Sequence, residues 1–436
     1  MHEPFVSMAN ELIAPKGGRR LLMYQTFTLS NGLRIIHRSS QSAVVYCGYQ
    51  INAGSRNEQE GEEGLAHFCE HVTFKGTKRR RAWYILNCLE SVGGDLNAFT
   101  NKEDTVYYAA ILKEHVARAV DLLTDIVFHS TYPDVELNKE KEVISDEIES
   151  YNDSPAELIY DEFEDILFKG HPLGHSILGT KQLVRAFTSA DALRFTQKYY
   201  RPNNAIFFID GDVDFKYLIR LLSKATADLP STQPLNDDTE LKVNLHPYIP
   251  TSITQQRDTH QTHVMIGSRA YNIHHPNRIA LYLLNNILGG PSMNARLNVS
   301  LREHHGLVYM VESSMVSYSD TGLWSVYFGC DPHDVKRCMQ LVRRELCRVI
   351  DVPLTPYQLN AAKKQLKGQI GVACDNRESF ALDFGKCFLH YGWEKDITAL
   401  YNQIDIVTAQ QVQQVAQDIM TEDKLSVLLI GHNCGK

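Results

Sequence analysis

The sequence predicts an α+β protein made of two halves of similar plan. Three observations carry this. Segments of strand and helix periodicity alternate through the first half. A stretch rich in Pro, Asn and Asp, with weak periodicity, then runs over residues 229–252 and reads as a linker. Beyond it the pattern restarts, strand then helix. With 436 residues and a soft prior of about 150 per domain, two or three domains are expected. The expected division is a disordered tail at 1–22, a first domain at 23–228, the linker at 229–252 and a second α+β domain of similar fold at 253–436.

The elements follow in order. Residues 24–29 and 33–38 flank Asn31-Gly32, a hairpin signal. Residues 43–53 form a third strand, rich in Val and Tyr. Residues 64–75 and 82–92 read as helices, and 104–112 (DTVYYAAIL) as a strand. Helical segments follow at 114–129, 134–151 and 155–168. A helix at 189–200 leads into a strand at 205–210 and a helix ending near 227. After the linker come a strand at 263–268, a helix at 278–288, a strand at 323–329 and a long helix at 332–350.

Composition narrows the function classes. Hydrophobic residues make up 43% and charged residues 22%, which excludes a disordered, collagen-like or coiled-coil chain. Forty-four basic against 52 acidic residues give a net charge of -8, unsuited to gripping a polyanion, so no nucleic-acid partner is expected. No run approaches the ~18 apolar residues of a membrane span. Residues 1–22 lack a signal-peptide core and place their basic residues after the apolar ones, and Met23 is an alternative start. Nine cysteines, odd in number, irregular in spacing and without CxxC, argue against a disulfide framework or thiolate zinc site and for the cytoplasm.

The sharpest chemical signal is His67-Phe68-Cys69-Glu70-His71. On a helix the two imidazoles lie about 40° apart on one face, where they can chelate one metal ion. Glu70 lies beside them, placed to take a proton from a water that the metal activates. Leu65, Phe68, Cys69 and Val72 form the opposite, apolar face, so Cys69 is core packing and not a ligand. HxxEH also arises by chance, and a peptidase zinc needs a third protein ligand. The helix at 134–151 offers one. Positions 140, 143, 144, 147, 148 and 151 share a face on which Glu140 and Glu147 interrupt an apolar stripe. Buried carboxylates are costly unless paired or metal-bound. One of the two could ligate while the other orients a histidine.

At this point the sequence resembles the zinc peptidase family of pitrilysin, insulysin and mitochondrial processing peptidase, in a short-chain bacterial-type form. HFCEHVTFKGT (His67 to Thr77) and EKEVISDEI, which contains Glu147, carry the likeness. GGDLNAFT (from Gly93), DTVYYA (from Asp104), HPLGHSILG (from His171), LGGPSMNARL (from Leu288), LREHHGLVY (from Leu301) and DTGLWSVYFG (from Asp320) follow in the family's order. The resemblance implies one zinc per chain, held by His67, His71 and Glu147, with Glu70 as general base and Glu140 as the second acidic residue. It implies an edge strand at Asn97 and Ala98 to which substrate pairs by β-augmentation. Arg302 and Tyr309 match a pair that contacts substrate or the developing oxyanion. Each domain would be an α/β sandwich, with 23–228 metal-binding and 253–436 without metal. The chain would be half of a clam-shell chamber closed by a homodimer or by a related chain. Cys69 stands where the family more often has a larger aliphatic residue, which touches packing and not catalysis.

The implied activity is a zinc metalloendopeptidase acting on peptides or unfolded polypeptides. The alternative is a non-catalytic binding or assembly subunit of the same fold, although such relatives typically lack part of HxxEH. Lys78-Arg79-Arg80-Arg81 is the only support for an anionic partner and reads better as a solvated helix entry. His171 and His175 are also four apart, but Pro172 and Gly174 argue against a helix there. Arg302 and Tyr309 flank Gly306. If the chain is helical from 294 to about 304, Gly306 stops the helix and the pair converges only through the turn. In the long single-chain relatives the matching pair lies in the half without metal, which points to action across a dimer.

Overall fold

The computed structural model describes residues 23–231 and 245–432. The expected tail at 1–22 and residues 232–244 of the expected linker lie outside the described residues.

Two sheets organise the chain. The first contains β1 (Tyr24–Thr28), β2 (Arg34–Ser39), β3 (Val44–Ile51), β4 (Asp95–Thr100), β5 (Thr105–Leu112) and β6 (Ala205–Gly211), in the order β1-β2-β6-β3-β5-β4. The second contains β7 (Ser252–Gln256), β8 (Thr262–Ala270), β9 (Val308–Ser317), β10 (Gly322–Cys330) and β11 (Ser426–Gly431), in the order β7-β11-β8-β10-β9. β2 to β6 map onto β7 to β11 one for one. In both sheets the first and last strands of that series pair in parallel, and the other neighbours are antiparallel. The helices repeat as well. α1 (Leu65–Thr73) and α2 (Ala82–Glu90) lie between β3 and β4. α3 (Val116–His129), α4 (Asp134–Asn152), α5 (Pro155–Leu167), α6 (Lys181–Ala186) and α7 (Ser189–Tyr199) lie between β5 and β6, and α8 (Phe215–Ala225) follows. In the second half α9 (Arg278–Gly289) follows β8. α10 (Val335–Asp351), α11 (Pro356–Ala373), α12 (Arg377–Tyr391), α13 (Ile397–Ile406) and α14 (Ala409–Ile419) separate β10 from β11.

Each sheet buries one face under its own helices. Val45, Tyr49, Tyr107 and Phe207 meet Leu65, Phe68 and Leu123 in the first core, and Val326 and Phe328 meet Leu284 and Leu346 in the second. The other faces are covered by exchange. α5 of the first half lays Ile159 and Phe163 against Met265, Tyr327, Leu428 and Ile430 of the second sheet. α12 of the second half lays Phe380, Phe384 and Leu389 against Ile36, Ile206 and Phe208 of the first. The central strands β6 and β10 are therefore buried on both faces, which is why AIFF and LWSVYF read as near-continuous apolar runs. Among the described residues, no helix is long and apolar enough to cross a membrane.

Because each half covers the other, the two should unfold together. Phe384→Ala empties a fully buried ring site against Tyr24 and Phe208. A loss of about 3–5 kcal/mol is expected. A single denaturant transition should report it alike through far-UV dichroism and tryptophan fluorescence. Two separate transitions, with the first half unmoved, would contradict the exchange.

Residues 245–251 are more than a tether. Leu245 and Tyr248 pack against the α5 cluster, and the Tyr248 hydroxyl lies 2.8 Å from Ser426 Oγ. β7 begins at Ser252, the last residue of the expected linker; its alternating SITQQ is a polar edge strand that gives no apolar signal.

Candidate metal centre

α1 starts at Gly64, whose φ of +97° suits a residue without a side chain. Leu65, Phe68, Cys69 and Val72 face the core, and the Cys69 thiol points to the Ala192 carbonyl at 3.9 Å. His67 and His71 share the opposite face with ring centroids 4.5 Å apart. α4 lies against α1 and brings two carboxylates, two turns apart. Glu147 Oε2 is 3.8 Å from His67 Nε2 and 3.4 Å from His71 Nε2, and the three ligand atoms all lie within 4.8 Å of one another. Glu140 instead accepts a hydrogen bond from His71 Nδ1 at 3.0 Å and pairs with Lys75 at 2.7 Å. Glu140 thus stands on the Nδ1 side of His71 and Glu147 on its Nε2 side, so the two glutamates divide into one at the donor cluster and one behind it.

The stripe on α4 sits differently from the expected one. Val143 is 52% exposed, and Leu137, Glu140, Ile144, Ser145 and Ile148 form the buried face. Glu147 lies at its margin with a side chain 43% exposed, reaching over the rim toward the histidines.

Electrostatics bind the cluster tightly. Burial, and then the neighbouring His71 charge, pull His67 down to about 4. Burial also pulls on His71, but hydrogen bonds to Glu140 and Glu147 and the Glu70 charge outweigh it and raise it to about 9. Glu147 is held low, chiefly by its hydrogen bond to His71. Two imidazoles and a carboxylate, with a second carboxylate behind one ring, are groups of the kind that bind zinc, and these residues fit that ion. His67 Nδ1 is buried without a hydrogen-bond partner. The one other His/Asp cluster of comparable spacing among the described residues, Asp331-His333-Asp334, lies on the surface at the entry to α10.

Glu70 is buried beside the histidines, and its Oε2 accepts the Thr100 hydroxyl at 2.7 Å. Burial raises its pKa, against the Thr100 hydrogen bond and the His71 charge. Thr100 belongs to β4, which also holds Asn97 and Ala98. Among the described residues β4 pairs with β5 alone, Asn97 opposite Tyr108 and Ala98 opposite Tyr107, and stands at the edge of its sheet.

Arg302 and Tyr309 lie in the second half. A π-helical turn, Asn298–Glu303, carries Arg302, and Gly306 at φ +60° ends it with a hydrogen bond from its N–H to the Arg302 carbonyl. Tyr309 follows on β9. The Arg302 guanidinium stands 5.8 Å over the Tyr309 ring, so the pair converges through the turn. Tyr309 is 84% exposed. A cavity of about 1440 Å³ includes both residues in its lining but none of His67, Glu70, His71 and Glu147.

Other sequence signals resolve simply. Arg79 and Arg80 pair with Asp121 of α3, and Arg80 also with Asp125. His175 lies in a loop and points to Glu58, 2.7 Å away. Thr100, Lys75 and Glu58 escaped sequence reasoning because their contacts, with Glu70, with Glu140 and with the start of α1, follow from the packing of elements and not from helical period.

The fold and this cluster define a metallopeptidase of the inverted HxxEH type, built from two like halves of which one carries the donors. The chain belongs to the insulinase family, peptidase family M16. Residues 34–181 match "Insulinase (Peptidase family M16)" and residues 186–366 match "Peptidase M16 inactive domain". The uncharacterized zinc protease YmxG of Bacillus subtilis is 31% identical over 93% of this chain and 98% of that protein. The mitochondrial-processing peptidase subunit beta of Bos taurus is 29% identical over 92% of this chain and 83% of that one. The crystal structure of a protease from Helicobacter pylori superposes with a TM-score of 0.85 at 20% identity, covering 94% and 99% of the two chains, a likeness of fold.

Proposed function

We propose that the protein is a zinc-dependent endopeptidase acting on peptides or unfolded polypeptides inside a chamber formed by two chains. The observation that carries this reading is Glu70, a buried carboxylate that is no part of the His67–His71–Glu147 cluster yet sits beside it and is steadied from the edge strand by Thr100. When bound, zinc lowers the pKa of its water toward ~7 and polarises the scissile carbonyl. His67, His71 and Glu147 would hold the ion, and Glu140 fixes the His71 ring. The open edge of β4 takes the substrate as an added strand, with Asn97 and Ala98 supplying backbone partners. Glu70 accepts the proton of the attacking water and delivers it to the leaving amine. One ion per chain and a reducing cytoplasm complete the reading; all eight described cysteines are free.

The alternative, a non-catalytic binding or assembly subunit of the same fold, is left open by the "inactive domain" match. That match covers residues 186–366, whereas all three ligands and Glu70 lie within 34–181.

His71→Ala removes one imidazole and the group that Glu140 orients. Elemental analysis of the purified variant should show zinc lost, and chelation of the wild-type chain should abolish cleavage of a peptide library. Zinc retained in full by His71→Ala would sink the ligand assignment. Chelator-insensitive cleavage would sink the metallopeptidase reading.

A further inference from the structure

The N-terminus of α1 is held by a residue far from its own cap. Gly64 offers no side chain to the first free N–H groups of the helix. Glu58 supplies the missing acceptor. Its Oε2 accepts the Gly64 N–H at 3.0 Å and its Oε1 the Ala66 N–H at 2.7 Å. A carboxylate there also complements the positive end of the helix dipole. Its side chain is wholly buried, a cost that must be offset by partners.

His175 is that partner, 2.7 Å from Glu58 Oε2. It comes from the HPLGHSILG loop, which presses onto the helix start. A Cβ on Gly179 would stand 2.1 Å from the Glu63 carbonyl oxygen, and one on Gly64 2.7 Å from that of Leu178. The loop is anchored in turn. Lys102 donates to the His175 carbonyl at 2.6 Å and pairs with Glu164 of α5 at 3.1 Å. Glu164 accepts the Tyr318 hydroxyl of the second half at 3.0 Å. A continuous chain of polar contacts thus runs from the second half to the residue before His67.

We propose that Glu58 and His175 form a positioning clamp that sets the axial placement of the metal-bearing helix, with Lys102, Glu164 and Tyr318 fixing the clamp to the second half. The clamp touches neither metal nor substrate. It acts through the backbone of Gly64 and Ala66, and so on where His67 stands relative to Glu147. The proposal rests on the zinc reading above.

The test is zinc affinity, measured by competition with a chromophoric chelator on full-length chain whose fold is checked by far-UV dichroism. Glu58→Ala should weaken zinc binding by about tenfold or more, the range found when groups supporting metal ligands are removed. Glu58→Gln keeps the size and one amide oxygen for an N–H, and should recover part of that loss. Cobalt-substituted Glu58→Ala should also show altered d–d absorption. Folded Glu58→Ala with wild-type affinity overturns the clamp. If Glu58→Ala does not fold, Glu58→Gln and His175→Ala decide: weakened binding in either supports the clamp, and wild-type affinity in both overturns it. His71→Ala separates the two readings. Zinc lost there but unaffected by Glu58 leaves the site standing and removes the clamp. Zinc unaffected by His71→Ala removes both.

Discussion

Glu70→Gln is expected to keep its zinc and lose at least two orders of magnitude in turnover. The substitution preserves size, and the amide oxygen can still accept the Thr100 hydroxyl, so the packing around α1 has no reason to change. Only proton acceptance disappears. General-base catalysis contributes about 10²–10⁴ to rate, which sets the expected loss in kcat. The ligand cluster does not include Glu70, so metal content should match wild type. Near-normal turnover in a metal-replete Gln variant would mean that the base is another group. Parallel loss of zinc would mean that Glu70 supports the ligands instead.

The readable part of this molecule is the part in which one helix face or one strand tells its own story. HxxEH places two imidazoles and a carboxylate by helical period alone, and α1 has its apolar face where that period puts it. The second glutamate could not be settled that way. Glu140 and Glu147 occupy equivalent places on the same helix, and only the tilt of α4 against α1 puts one at the histidine Nε2 atoms and the other at Nδ1. Val143 misled for the same reason, since the buried stripe passes through Ser145 instead.

The second half beyond residue 350 was hardest to read. α11 is 18 residues long, yet its buried positions are Lys363, Leu366 and Ile370. A lysine stem and two aliphatic residues make a faint stripe. The exchange of α5 and α12 was out of reach altogether. Their apolar faces predict that each covers something, but no local pattern says which sheet. That choice is made by contacts more than 100 residues apart, such as Phe163 with Met265 and Phe208 with Phe384.

Arg302→Ala is expected to lower kcat by about 10²–10³, the loss found when a donor to a developing oxyanion is removed. The geometry suggests where that donor acts. Arg302 stands over the Tyr309 ring in the lining of the second-half cavity, and Tyr309 is left largely in solvent on β9, the last strand of the second sheet. A Tyr and an Arg left bare beside an open strand edge suit a surface completed by another molecule. In a symmetric dimer each chain would offer this surface to the other chain's zinc site, so every working site would draw Glu70 from one chain and Arg302 from its partner. Mixing separates this from action within one chain. Glu70→Gln and Arg302→Ala chains are each expected to retain about 1% of activity or less alone, the complement of a loss of about 10²-fold. A mixed dimer would contain one site with both lesions and one site with neither. Free exchange of equal amounts makes half the dimers mixed, so about a quarter of wild-type activity should return. If the pair acts within its own chain, every site in the mixture carries one lesion. Activity then stays at the level of the parents even after exchange has been demonstrated, for example by energy transfer between labelled chains.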